Sequence, residues 1–170
     1  MIALRTERLR IEPFTLGDAA FTLRLLNEPG FVRYIADKGV RDLEGARGYL
    51  QTGPLASYAQ HGFGLWRVGL VDEGTAIGMA GLLKRDWLDD IDIGYAFLAE
   101  YGGAGYALEA THAVMEYARR TLGARRVLAI VNEDNAASMR LLGKLGFHAD
   151  GTVRAPGATD GVRLFVAETL

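Results

Sequence analysis

The chain contains no cysteine, which excludes disulfide staples, zinc-thiolate sites and thiol catalysis by the protein itself, and weakly fits a reducing compartment. It also lacks any uninterrupted apolar run of membrane-spanning length. The N-terminus, Met1-Ile2-Ala3-Leu4-Arg5-Thr6-Glu7-Arg8, carries no apolar signal region, so a cytoplasmic protein without a membrane partner is expected. Strong charge of one sign is missing too: the formal charge is −2 over 170 residues, which argues against a general nucleic-acid binder. Repeats, low-complexity tracts and linkers are absent, and residues 1–170 read as a single domain that buries about two thirds of its unfolded surface. Two phosphate-binding signatures also fail. G-x-G-x-x-G breaks at Leu108, three residues after Gly105, and the Gly143-Lys144 pair is followed by Leu145 rather than Ser or Thr.

What is present centres on Glu100-Tyr101-Gly102-Gly103-Ala104-Gly105-Tyr106-Ala107, with three glycines in four positions. Before it, Asp90 to Leu98 alternates, placing Ile91, Ile93, Tyr95 and Phe97 on one strand face and Asp92, Gly94, Ala96 and Leu98 on the other. After it, Ala110, Val114, Tyr117 and Ala118 recur at helical spacing. A glycine-rich turn at a helix start leaves backbone N–H groups free, with the positive end of the helix dipole behind them. That is a site for an anion, most often phosphate, although the same turn also serves simply to pack a helix closely on a sheet. Arg125 to Val131 is a second strand, completing a right-handed parallel crossover. Asn132-Glu133-Asp134-Asn135 then caps a helix bearing Met139, Leu141, Leu142 and Leu145, which Gly146 ends.

Ile93-Gly94-Tyr95, Glu100-Tyr101-x-Gly103-x-Gly105-Tyr106-Ala107-x-Glu109-Ala110, Asn135-x-x-Ser138 and Lys144-Leu145-Gly146-Phe147 together resemble the GNAT superfamily of N-acetyltransferases. The closer likeness is to the RimJ/RimL type, the ribosomal-protein N-terminal alanine acetyltransferases. Arg5 to Ile11 and Gly62 to Trp66 extend the resemblance over most of the chain. It implies acetyl-CoA as donor and a primary amine, small molecule or protein N-terminus, as acceptor, joined by direct attack in a ternary complex. It also admits a homodimer, which no stretch of the sequence demands.

The remaining chain fits that fold class, α/β or α+β. Leu4 to Phe14 reads as a first strand, a helix follows from Asp18, Phe31 to Ala36 form a short helix or turn, and another helix runs from Asp42 to about Tyr58, weakened at Gly53-Pro54. Phe63 to Val71 and Thr75 to Leu83 form a hairpin around Asp72-Glu73-Gly74, and Phe147 to Val153 pairs with Val162 to Thr169. The sum is a mixed, mostly antiparallel twisted sheet of about seven strands, with helices on both faces and one splayed parallel pair.

The resemblance implies that the pyrophosphate sits on Gly103, Ala104, Gly105, Tyr106 and Ala107. Pantetheine runs along Tyr95, Phe97 and Leu98 as a pseudo-strand, with Asn135 and Ser138 near its arm. A backbone N–H near Phe97 or Leu98 binds the developing oxyanion. Ser138, one of two serines, matches the family acid, because the tyrosine many members place one turn further on is here Leu142. Asp92 is the first choice of base, acting through water, with Asp90 behind it. Asp86, Asp89, Asp90 and Asp92 form either a solvated loop or an electronegative mouth for a cationic amine. Tyr34, Tyr95, Trp66 and Trp87 are candidates for the acceptor pocket, with core packing the alternative. One Glu109-x-x-His112 motif is too little for a metal, and none is expected. Two other readings remain open: a silent acyl-CoA sensor of the same fold, and a different nucleotide-using enzyme.

Overall fold

The computed structural model describes residues 3–169. Eight strands form one sheet: β1 Leu4–Arg5, β2 Leu9–Glu12, β3 Leu65–Leu70, β4 Ala76–Leu83, β5 Asp92–Phe97, β6 Arg126–Val131, β7 His148–Val153 and β8 Val162–Glu168. Their order across the sheet is β1-β2-β3-β4-β5-β6-β8-β7. Every pairing is antiparallel except β5 with β6. There is one strand more than the sequence suggested, because the first run folds back on itself. Thr6 N–H donates to the Leu9 carbonyl and Leu4 pairs with Ile11.

Helices α1 Ala19–Leu26, α2 Pro29–Tyr34 and α3 Leu43–Leu50 cover one face of the sheet, and α5 Tyr106–Arg120 with α6 Ala136–Lys144 cover the other. Between α3 and α4 Ala56–His61 lies a π-helical turn, Gln51–Leu55. The helix therefore passes through Pro54 rather than weakening there, since a wider turn accommodates a residue with no N–H to donate. The alternation along β5 separates the two cores as its side chains require. Ile93, Tyr95 and Phe97 join the core beneath α5, whose Ala110, Val114, Tyr117 and Ala118 are buried there; Ala96 and Leu98 join Phe14, Leu25, Leu50 and Met79 on the other side. Gly146 ends α6 at φ +91°, with Phe147 N–H donating to Leu142 and Gly146 N–H to Gly143, a Schellman closure that turns the chain into β7.

The parallel pair is brief. Asp92 opposite Leu128 is its single register pair, with Leu128 N–H donating to the Ile91 carbonyl at 2.9 Å. Past that point β5 continues on β4 as far as Phe97 opposite Gly78, and β6 continues on β8 as far as Val131 opposite Arg163. Leu98 N–H donates to the Ile77 carbonyl at 2.9 Å. Antiparallel alternation therefore turns the main-chain groups of Asp92, Gly94 and Ala96 toward β4, and those of Tyr95 and Phe97 into the fork between β5 and β6.

The sheet is tightest at Gly81, where a Cβ would lie 2.0 Å from the Gly64 carbonyl oxygen and 2.8 Å from Leu65 Cα. Backbone atoms cannot step aside as a side chain can. Gly81→Ala is expected to lower unfolding free energy by about 1–3 kcal/mol in urea titration. A change within about 0.5 kcal/mol, the range of an ordinary surface substitution, would contradict this close approach.

Candidate active site

Gly103 and Gly105 lie at φ +79° and +83°, a region that side chains with a Cβ rarely enter, and they bend the chain from β5 into α5. No side chain caps this helix. The N–H groups of Tyr106, Ala107 and Leu108 therefore have no intrahelical acceptor and point out of the helix start. The loop is held from outside. Arg8 donates from Nη1 to the Ala104 carbonyl at 2.9 Å and from Nε to Glu109 Oε1 at 2.7 Å, and its guanidinium covers the Tyr106 ring at 4.4 Å. Glu109 also accepts from Thr6 Oγ1 and from Arg8 N–H. Burial alone would raise the Glu109 carboxyl, but the hydrogen bonds from Thr6 and Arg8 outweigh it and hold the group below its ordinary value.

A groove of about 780 Å³ runs from these glycines to the fork, and a second cleft of about 500 Å³ continues beneath α2 and the π-helical turn. Both are lined by Phe31, Tyr34, Ile35, Tyr95, Asn135 and Ser138, so the two meet where β5 faces the start of α6. At that junction the Tyr95 hydroxyl is hydrogen-bonded to Ser138 Oγ. Burial raises the Tyr95 phenol, partly offset by the Ser138 contact, so it stays protonated at neutral pH. Asn135 caps α6 by accepting from Ser138 N–H at 3.2 Å, while its side chain also lines both spaces.

An antiparallel sheet opened at one parallel pair, with a glycine-lined helix start beyond the opening, matches known proteins. The family model described as an acetyltransferase (GNAT) domain matches residues 8–148. The chain belongs to the GNAT acetyltransferase family. It is 31% identical over 155 residues to the uncharacterized N-acetyltransferase YoaA of Bacillus subtilis (strain 168), covering 89% of this chain and 85% of that one. Among solved structures, the acetyltransferase from Agrobacterium tumefaciens str. C58 superposes with TM-score 0.83 at 22% identity, covering 99% of this chain and 95% of the other. RimL, the ribosomal L7/L12 alpha-N-protein acetyltransferase in complex with coenzyme A, superposes with TM-score 0.81 at 16% identity, covering 98% of each. The likeness to both is one of fold. Its family makes this chain an acetyl-CoA-dependent N-acetyltransferase.

Of the residues singled out in the sequence, this GNAT fold brings Tyr95, Phe97, Gly103, Gly105, Tyr106, Ala107, Asn135 and Ser138 to one groove. It does not bring Leu98 or Ala104 there. Leu98 is 1% exposed in the core beneath α1 and α3 with its N–H committed to Ile77, and the Ala104 carbonyl is pinned by Arg8. Of the main-chain N–H groups of Phe97 and Leu98, only that of Phe97 faces the fork. Trp66 is buried against Tyr117, edge to face at 5.1 Å, and Trp87 packs on Leu128 and Val166, so neither reaches the clefts.

The acidic run resolves into unlike parts. Asp90 pairs with Arg126 at 3.0 Å, and among the four only Asp92 lines a cleft. Asp92 is 1% exposed and accepts from Arg85 Nε at 3.1 and 3.2 Å on its two oxygens. Burial raises its carboxyl to about 6 in spite of the opposing pull of Arg85. Asp86, Asp89 and Asp90 thus lie outside both clefts, and Arg85, which the sequence pattern did not single out, is the charge paired with Asp92.

The raised carboxyl fixes a sign. Below a pH of about 4 Asp92 is protonated in folded and unfolded chains alike; between about 4 and 6 only the folded chain keeps the proton, so its contribution to stability falls as pH rises through that window. Wild type is expected to lose about 3 kcal/mol relative to Asp92→Asn between pH about 4 and about 7 in paired denaturant titrations. A difference that stays constant across that range would show an unperturbed carboxyl.

Proposed function

We propose that this chain is a single-domain, cytoplasmic enzyme of the RimJ/RimL type that binds acetyl-CoA in the groove and joins it to a primary amine by direct attack in a ternary complex. The observation that carries the reading is the fork: main-chain groups of Tyr95 and Phe97 face an open groove whose far end is the uncapped start of α5. An extended chain with amides, ending in phosphates, is the chemistry that fits both features. The coenzyme A bound to RimL, a protein of the same fold, agrees with it.

In this reading the Tyr95 main chain and the Phe97 carbonyl pair with the pantetheine amides, which leaves Phe97 N–H free. The N–H groups of Tyr106 and Ala107, with Gly103 and Gly105 allowing close approach, hold the pyrophosphate. When bound, acetyl-CoA supplies a thioester carbonyl and a thiolate leaving group. Phe97 N–H receives the developing oxyanion. Asp92, largely ionised at neutral pH and facing the adjoining cleft, takes the proton of the incoming amine through water. Ser138 Oγ gives a proton to the leaving sulfur and takes one from Tyr95, whose hydroxyl it already touches, and Tyr95 regains its proton from water as the groove empties. Thus the tyrosine missing at Leu142 is replaced from β5 rather than from α6.

Two variants separate binding from chemistry. With amine-dependent thiol release and mass detection of the product, Ser138→Ala should lower kcat by about 10²-fold with little change in the KM for acetyl-CoA. Gly105→Val, which forces a β-branched residue to φ +83° with its Cβ 3.4 Å from Arg8, should do the reverse and raise that KM about tenfold. Tight acetyl-CoA binding with no acceptor-dependent release from wild type would overturn the catalytic reading in favour of a sensor.

A further inference from the structure

The acceptor cleft is lined by four formally charged side chains, and three of them are cations: Lys38, Lys84 and Arg85 against Asp92. Lys84 is occupied, donating from Nζ to the carbonyls of Arg85 at 2.9 Å and Leu88 at 3.1 Å. Arg85 gives only Nε to Asp92, and its two Nη groups have no hydrogen-bond partner among the described residues. Lys38, in the loop between α2 and α3, makes no ion pair or hydrogen bond among the described residues. Burial of its ammonium and the Arg85 charge both push it below its ordinary value, and Asp92, the one carboxylate lining the cleft, is engaged by Arg85 Nε rather than by Lys38. The hydroxyl of Tyr49, also without a hydrogen-bond partner among the described residues, lines the same cleft, and its phenol feels the Arg85 charge. Asp86 and Asp89 do not line this space, and Asp90 is held by Arg126.

We propose that the acceptor is a small amine carrying an oxyanion, a carboxylate or a phosphate, received by the Arg85 Nη groups and Lys38 while its amine faces Tyr95 and Ser138. This rests on the transferase reading above and gives it a substrate class, a small molecule in place of the protein N-terminus that defines the RimJ/RimL type. Three cations against one carboxylate leave the lining of the cleft net positive, which favours a ligand carrying negative charge. Arg85 is suited to the task, because its planar fork offers paired N–H donors once Nε is committed elsewhere. A cleft of about 500 Å³ matches a small molecule rather than a folded partner. A polyamine would bring further positive charge to the same cleft.

The test uses matched amines with full-length enzyme and acetyl-CoA: amino acids, their carboxamides, the alkylamines lacking the acid, aminoalkyl phosphates, and spermidine. Wild type should favour the acid or the phosphate over its uncharged match by at least about tenfold in kcat/KM, and whichever arm wins names the oxyanion. Lys38→Met should reduce that preference to about threefold or less, and Lys38→Glu should invert it, with thermal melts confirming that both variants fold. Turnover that favours carboxamides or spermidine would overturn the oxyanion while leaving the transferase standing. No release with any amine would remove both.

Discussion

The groove beside β5 depends on how soon β5 and β6 part company. They share the Asp92–Leu128 pair and then follow other neighbours, β4 on one side and β8 on the other. A main-chain amide shut away from water without a partner costs about 1–3 kcal/mol, so strands that separate must open onto something that can receive their polar groups. Here they open onto a groove. The same separation admits Tyr95 to Ser138, across 43 residues of chain, and leads the groove straight to the glycine turn. The groove, the Tyr95–Ser138 contact and the approach to the glycine turn thus share one geometric cause.

Around the fork, charge is arranged by burial more than by count. Asp92 lies on the inner face at the vertex, deep enough for desolvation to dominate and close enough to Arg85 for its ionised form to persist at neutral pH. Glu109 is the opposite case: hydrogen bonds from Thr6 and Arg8 overcome a modest burial and keep it ionised as a brace for the glycine turn. Two carboxylates 17 positions apart are thereby given different work by their surroundings. Arg8 ties the first hairpin to the turn, so a residue near the start of the chain holds the shape of a loop a hundred residues on.

Much of this was legible in the sequence. Strict alternation from Ile91 to Leu98 sorts side chains between two cores whatever packs on them, and glycines at 103, 105 and 146 mark turns that other residues resist. Asn135 as cap follows from local spacing, and Ser138 near the cleft from the family resemblance. Other features were not legible, because they depend on distance through space. Alternation puts Asp92 on a face but does not say how deep, and the loop position of Arg85 says nothing of its partner. Four neighbouring aspartates look alike in a row of letters and diverge only when Arg85 and Arg126 arrive from elsewhere. Leu98 continues the strand pattern, yet the parity of the β4 pairing turns its N–H away from the groove. The first strand divides because a hydrogen bond from Thr6 to Leu9 tightens a turn that no glycine or proline announces.

If main-chain groups on one edge of β5 engage acetyl-CoA, its binding must protect them from solvent. Amide hydrogen exchange, resolved by residue with and without saturating acetyl-CoA, reads those groups directly. Exchange should slow at Tyr95, Phe97, Tyr106 and Ala107 and stay unchanged at Leu98, whose N–H is already bonded to Ile77. Unaltered exchange at Tyr95 and Phe97 when acetyl-CoA is bound would contradict the account.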